Sequence, residues 1–250
     1  MTTGGPRDTT ATGTGTGTRT ADAELVADVR DGLGALADPV RALAMSAYMK
    51  SAMAHRGVDR PAQKTLFRTV LARHPIADRV TWEATVRELW DNASYREERY
   101  AATAVLSAES YRHFRDPAAL PLMEHLVVSG AWWDLVDPVA IRCIGPAVRG
   151  HRPELVPVML RWAGSGDLWL RRTAIIHQVG AKADTDTDLL SRCIAPSLTR
   201  REFFLRKAIG WALRDLAWHD PDWVRGYVRD HDEVLSGLSR REALKNCGPG

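Results

Sequence analysis

The chain has 250 residues, 45% hydrophobic and 26% charged, with a formal net charge of +3: an ordinary soluble globular composition. Cys143, Cys193 and Cys247 are odd in number and far apart, which excludes a disulfide framework, offers no zinc pattern and fits a reducing, cytoplasmic setting. No apolar run approaches the roughly 18 residues of a membrane span and the N-terminus carries no signal-peptide core, so no membrane partner is expected.

Residues 1–20, MTTGGPRDTTATGTGTGTRT, are almost all Thr and Gly, with no side chains to offset ordering entropy, and read as a disordered tail. One domain is expected over residues 21–246, with a flexible end at 247–250. From Ala21 onward the pattern is helical. Ala23–Leu36, Val40–Met53, Thr65–Arg73, Trp82–Trp90 and Glu98–Tyr111 carry apolar residues at three- and four-residue steps. Four Asp-Pro pairs, at 38–39, 116–117, 137–138 and 220–221, each read as a helix start, aspartate capping and proline at the first helical position. Alternating strands are absent from the pattern. About twelve helices in hairpins of roughly 35–40 residues match the period of HEAT and armadillo repeats, so an all-α solenoid is expected, with a compact helical bundle as the alternative.

Charge is uneven. Residues 21–130 hold 14 basic and 15 acidic side chains and residues 131–250 hold 18 and 15, nets of −1 and +3. There are 29 arginines against five lysines, and nine tryptophans against five tyrosines and four phenylalanines. Guanidinium forks match phosphate and indoles stack on bases, although a high-GC genome would also enrich arginine.

Three segments concentrate these residues. In residues 201–218, Phe204, Ala208 and Ala212, with Leu205, Ile209 and Leu213 beside them, supply a core face. Lys207, Trp211 and Arg214 share another face, oriented either to a nucleic-acid backbone or over a groove between repeats. In GAWWDLVDP, residues 130–138, Trp133 and Asp137 are four apart, which sets an indole beside a carboxylate able to stabilise a cation or position water. Asp137 would alternatively cap the helix opened by Pro138. In LWLRRTAIIHQVG, residues 168–180, Arg172 lies on the apolar line of Ile175, Ile176 and Val179 and needs an anion, either Asp137 or a phosphate. His177 is expected at a repeat junction, and Cys143 and Cys193 in the core. HExxH, P-loop, GxSxG and GxGxxG patterns do not occur.

On these residues the chain resembles the AlkD-type alkylpurine DNA glycosylases of the DNA alkylation repair family. The matching stretches are Tyr48-Met49-Lys50, Arg87-Glu88-Leu89-Trp90-Asp91, Trp132-Trp133-Asp134-Leu135-Val136-Asp137, Leu168-Trp169-Leu170-Arg171-Arg172, Glu202-Phe203-Phe204 with Lys207-Ala208-Ile209-Gly210-Trp211, and Leu238-Ser239-Arg240-Arg241-Glu242-Ala243. They run in family order over about residues 22–246. The resemblance implies a solenoid of HEAT-like repeats whose concave, basic face cradles double-stranded DNA containing an alkylated purine, acting as a monomer in the bacterial nucleoid. It implies Asp137 as the catalytic carboxylate, Trp133 and Trp211 as the indoles at the lesion, and Arg172 as the active-site arginine. Tyr48, Lys207, Arg214, Arg240 and Arg241 fall on the implied DNA-binding surface. Pro138, directly after Asp137, departs from the family pattern, and proline disfavours helix at the residue before it.

An N3- or N7-alkylated purine is already cationic and leaves neutral, so the implied reaction needs no cofactor, no metal and no general acid. Three functions are compatible with the sequence. One is a general alkylation-repair glycosylase. A second is a self-resistance relative that removes bulky N3-adenine adducts of a DNA-alkylating natural product. The third is a non-catalytic DNA- or protein-binding scaffold, since a repeat fold alone specifies no chemistry.

Overall fold

Helix starts are written into the sequence as aspartates. Asp22, Asp38, Asp59, Asp78, Asp167, Asp186 and Asp220 each accept a hydrogen bond from a first-turn backbone N–H, at 2.8–3.0 Å. The computed structural model describes Met1 and residues 20–248. Residues 2–19 of the expected tail and 249–250 of the expected flexible end lie outside the described residues, whereas Cys247 is buried.

The described residues form fourteen α-helices and no strand. In the first half these are α1 (Ala23–Ala35), α2 (Pro39–Met49), α3 (Arg60–Arg73), α4 (Arg79–Asp91), α5 (Arg96–Ser107), α6 (Leu120–Gly130) and α7 (Trp133–Val139). In the second half they are α8 (Gly145–Gly150), α9 (Arg152–Ala163), α10 (Leu168–Ile176), α11 (Thr187–Ile194), α12 (Phe203–Leu216), α13 (Pro221–Asp230) and α14 (Gly237–Ala243). Several boundaries differ from the periodicity. The helix expected to reach Met53 stops at Met49, because Lys50 turns left-handed at φ 49°. The helix expected to reach Tyr111 stops at Ser107, where Ala108 is extended, and a 3-10 turn (Glu109–Phe114) follows. α3 begins five residues before the apolar pattern does, since Asp59 caps it and Pro61 suits its first turn.

Three of the four Asp-Pro pairs open helical turns: Asp38 and Asp220 cap α2 and α13, and Asp116 caps the short 3-10 turn before α6. Asp137-Pro138 does not. Both residues lie inside α7, whose cap position is Trp132, and the chain stays helical through a π-turn (Ala140–Ile144) into α8. Proline there removes only the N–H that would bond to Asp134 O, and Asp137 keeps its place in the helix.

The helices stack in two layers, as an α-solenoid of HEAT-like repeats. α3, α5, α7, α10, α12 and α14 each pack on the next and form the first layer, while α1, α4, α6, α9, α11 and α13 back them. Two buried clusters run along this stack. One centres on Trp82, Trp90, Leu126, Leu135 and Trp162, the other on Ile175, Ile209, Leu213 and Val224, and Leu168 touches both. The expected core face of α12 is observed: Leu205, Ala208, Ile209, Ala212 and Leu213 are buried and Phe204 is half-buried. Cys143 and Cys193 are fully buried. His177 sits at the α8–α10 junction with its carbonyl against Gly145, its Nδ1–H donating to Ala174 O at 2.8 Å, and burial pushes its pKa down to about 4.

Candidate active site

α7 sits mid-stack in the first layer and carries two carboxylates three residues apart, hence on one face. Trp132 is extended (φ −155°, ψ 143°), and the helix begins at Trp133. Asp134 and Asp137 then fall in its first two turns, and both are buried. Asp134 turns toward α5 and Asp137 toward α10.

Asp137 is 7% exposed and forms a two-pronged ion pair with Arg172 of α10: Nε donates to Oδ1 at 2.8 Å and Nη2 to Oδ2 at 2.7 Å. Of the two anions that the sequence allows for Arg172, the carboxylate is the one it meets. The remaining guanidinium nitrogen, Nη1, donates to Phe204 O at 2.8 Å, so Arg172 ties α7, α10 and α12 together. The bidentate geometry fixes the carboxylate plane as well as its position. Burial holds the Asp137 carboxyl above its ordinary range; the neighbouring charge of Asp134 adds to this and Arg172 opposes it.

Around this pair stand the aromatics of three successive helix starts. Trp132, Trp169 and Phe204 pack with ring centroids 5.1–6.2 Å apart, and the exposed Phe203 extends the cluster edge-on at 5.4 Å from Phe204. Trp133 is half-buried against the first core cluster, one turn before Asp137, and Trp211 is half-buried against the second, on α12.

Lys207, Trp211 and Arg214 share a face of α12 as the spacing predicts, but the two cations do not stand free. Glu242 of α14 takes Arg214 at 2.7 Å, Lys207 at 3.3 Å and Lys245 at 2.6 Å. Gly210 allows this approach: a Cβ there would lie 3.0 Å from Ser239 O and against the Glu242 Cβ. Lys245 and Lys207 hold the Glu242 carboxyl below its ordinary range, the hydrogen bond from Lys245 contributing most. Arg240 pairs with Asp232 at 2.9 Å, Arg241 is exposed, and Tyr48 is 77% exposed on α2, away from Asp137 in sequence and helix.

A family model of DNA alkylation repair enzymes matches residues 29–247. The chain belongs to that family. A solved structure, described as a predicted DNA alkylation repair enzyme from Enterococcus faecalis, is similar at a TM-score of 0.70 and 28% identity, covering 86% of this chain and 98% of that one. No match appears among curated proteins. For this member of the DNA alkylation repair family, a role in alkylation damage repair follows from the match.

Sequence reasoning missed three parts of the site. Arg96 of α5 forks onto Asp134 at 3.0 and 2.6 Å, Tyr100 donates its hydroxyl to the same carboxylate, and Arg96 also reaches Ser51 Oγ at 3.2 Å. The only signal for this pair was Asp134 itself, one turn before Asp137 in the block WWDLVD. Glu242 was missed because its partners on α12, Arg214 and Lys207, lie 28 or more residues away. The aromatic cluster was missed because its rings come from three separate helices.

Proposed function

We propose that the protein is a monofunctional DNA glycosylase that hydrolyses the N-glycosidic bond of cationic N3- or N7-alkylated purines in duplex DNA. The observation that carries this reading is a buried carboxylate, Asp137, locked in orientation by Arg172, with the half-buried Trp133 one turn earlier on the same helix. As the C1′–N bond breaks, the alkylated base departs neutral and positive charge develops on the sugar. Asp137 stabilises that oxocarbenium ion and aligns a water whose oxygen adds to C1′, the water's proton passing to the carboxylate or solvent. Trp133 and Trp211 contact the deoxyribose and backbone at the lesion. Arg172 holds the carboxylate. Lys207, Arg214, Arg240, Arg241 and Tyr48 meet the backbone of the duplex, which lies along the concave face of a monomer. An open face in place of a closed base pocket admits large adducts, unlike the enclosure used by most base-processing enzymes.

The test is Asp137→Asn on a duplex carrying one N7-methylguanine. Base release is expected to fall by about two orders of magnitude or more, with binding retained; undiminished release would sink the assignment.

One observation favours the narrower reading, excision of bulky N3-adenine adducts. α2 turns an apolar stripe outward, with Val40 81%, Leu43 76% and Tyr48 77% exposed. Ser51, just past its end, bonds to the arginine that holds Asp134. An apolar adduct extending from the Asp137 region would cover that stripe. Release from a panel of N3-methyladenine, N7-methylguanine and bulky N3-adenine duplexes separates the readings, since only the narrower one predicts activity confined to the bulky lesion.

A further inference from the structure

The most basic helix of the fold is not α12 but α3. Its sequence, RPAQKTLFRTVLAR, holds four basic residues and no acid. Arg73 is spent on Asp28, at 2.7 Å. Arg60, Lys64 and Arg68 are exposed, and among the described residues none has a carboxylate within ion-pair distance. They are spaced i, i+4 and i+8, a single line about 12 Å long on the helix surface. Gln63, Phe67 and Val70 are buried on the adjoining face.

The line has a defined place relative to the site. α3 packs on α5, which packs on α7, so it belongs to the layer that carries Asp137, Arg172 and Trp211. Arg60 marks the direction it faces: its guanidinium lies 4.2 Å over the ring of Tyr100, whose hydroxyl donates to Asp134. The Lys207–Arg214–Lys245 cluster around Glu242 lies at the other end of the same layer, beyond α10. Cations therefore flank the buried carboxylates of α7 on both sides.

We infer that Arg60, Lys64 and Arg68 form a second phosphate-binding line, which grips the sugar–phosphate backbone of duplex DNA on the α3 side of Asp137 while the α12–α14 cluster grips it on the other. This rests on the DNA reading given above. A helix with four cations and no carboxylate gains nothing from facing this layer unless a polyanion comes to it, because exposed like charges repel. The even spacing suits a backbone contact that carries no sequence information. It also gives the nearly neutral first half of the chain a share in binding equal to that of the basic second half.

The experiment uses the full chain, an undamaged duplex and anisotropy titrations across a salt series. The wild type is compared with Lys64→Ala/Arg68→Ala and with a control, Arg161→Ala/Arg192→Ala, which removes two exposed arginines from α9 and α11 of the backing layer. All four positions are exposed, so folding is preserved. Loss of two phosphate contacts makes the log K against log[salt] slope shallower by about 1.8 in the α3 variant, while the control keeps the wild-type slope. A wild-type slope in the α3 variant overturns the inference and leaves the glycosylase reading standing. An equal loss in both variants also overturns it, because binding would then follow diffuse charge. A flat wild-type titration overturns the DNA reading itself.

Discussion

The middle and the ends of the first layer treat charge in opposite ways. On α7, two buried carboxylates meet two buried arginines one to one, Asp134 with Arg96 and Asp137 with Arg172. At the α12–α14 end, one carboxylate is shared by three cations, and on α3 three cations have none. Desolvation explains the contrast. A buried ion is tolerable only when matched and fully bonded, whereas an exposed one stays hydrated and can be left in surplus. The centre is therefore built for a fixed orientation and the flanks for attraction.

The sharpest way to break this comparison is to remove one partner from each kind of pair. Arg172→Ala and Arg96→Ala leave a buried carboxylate unpaired and are expected to cost about 3–5 kcal/mol in urea unfolding. Lys245→Ala removes an exposed cation from Glu242 and is expected to cost less than about 1 kcal/mol. Equal losses would mean that α7 is not held by its ion pairs.

A smaller effect tests how the α12 end is assembled. Gly210→Ala places a methyl against Ser239 O and the Glu242 Cβ and is expected to cost about 1–3 kcal/mol. Gly226→Ala, on α13 with only the flexible end of Arg229 nearby, provides the contrast and should change stability little or favourably.

A third test reads the electrostatics of the centre. In the proposed reaction Asp137 acts ionised, and its pKa is raised by burial, so base release is expected to fall as pH drops through that raised value, above the ordinary carboxylate range. Asp134 adds to the rise by like-charge repulsion, so Asp134→Asn moves the acid limb of the pH–rate profile to lower pH, in the direction that the newly unpaired Arg96 also favours. A limb that stays in place would show that the two carboxylates do not sense each other.

How much of this was legible in the sequence depends on range. Aspartate caps, the apolar stripe of α12 and the need of Arg172 for an anion are local, and periodicity carries them. Asp137-Pro138 misled because the same dipeptide opens a helix or sits inside one, and only the preceding turn, started by Trp132, decides between them. Arg96, Tyr100 and Glu242 were invisible because each acts on a residue 28 or more positions away. α3 was hidden by averaging: a half-chain net of −1 absorbs a helix with four cations and no acid.

The smallest expected effects belong to the α12 flank, and they decide whether its cations are structural or available. Lys207 and Arg214 are 38% and 32% exposed at the side chain, so their bonds to Glu242 are screened and contribute little to folding. Lys207→Ala and Arg214→Ala should each shift stability by less than about 1 kcal/mol. Each should nevertheless make the salt slope of duplex binding shallower by about 0.9, as one lost phosphate contact requires. A phosphate competes for these cations with a single carboxylate that cannot neutralise three charges, so the flank keeps a net positive charge even when every bond to Glu242 is intact. A large stability loss with an unchanged slope would assign Lys207 and Arg214 to the α12–α14 joint and leave α3 as the stronger grip on DNA.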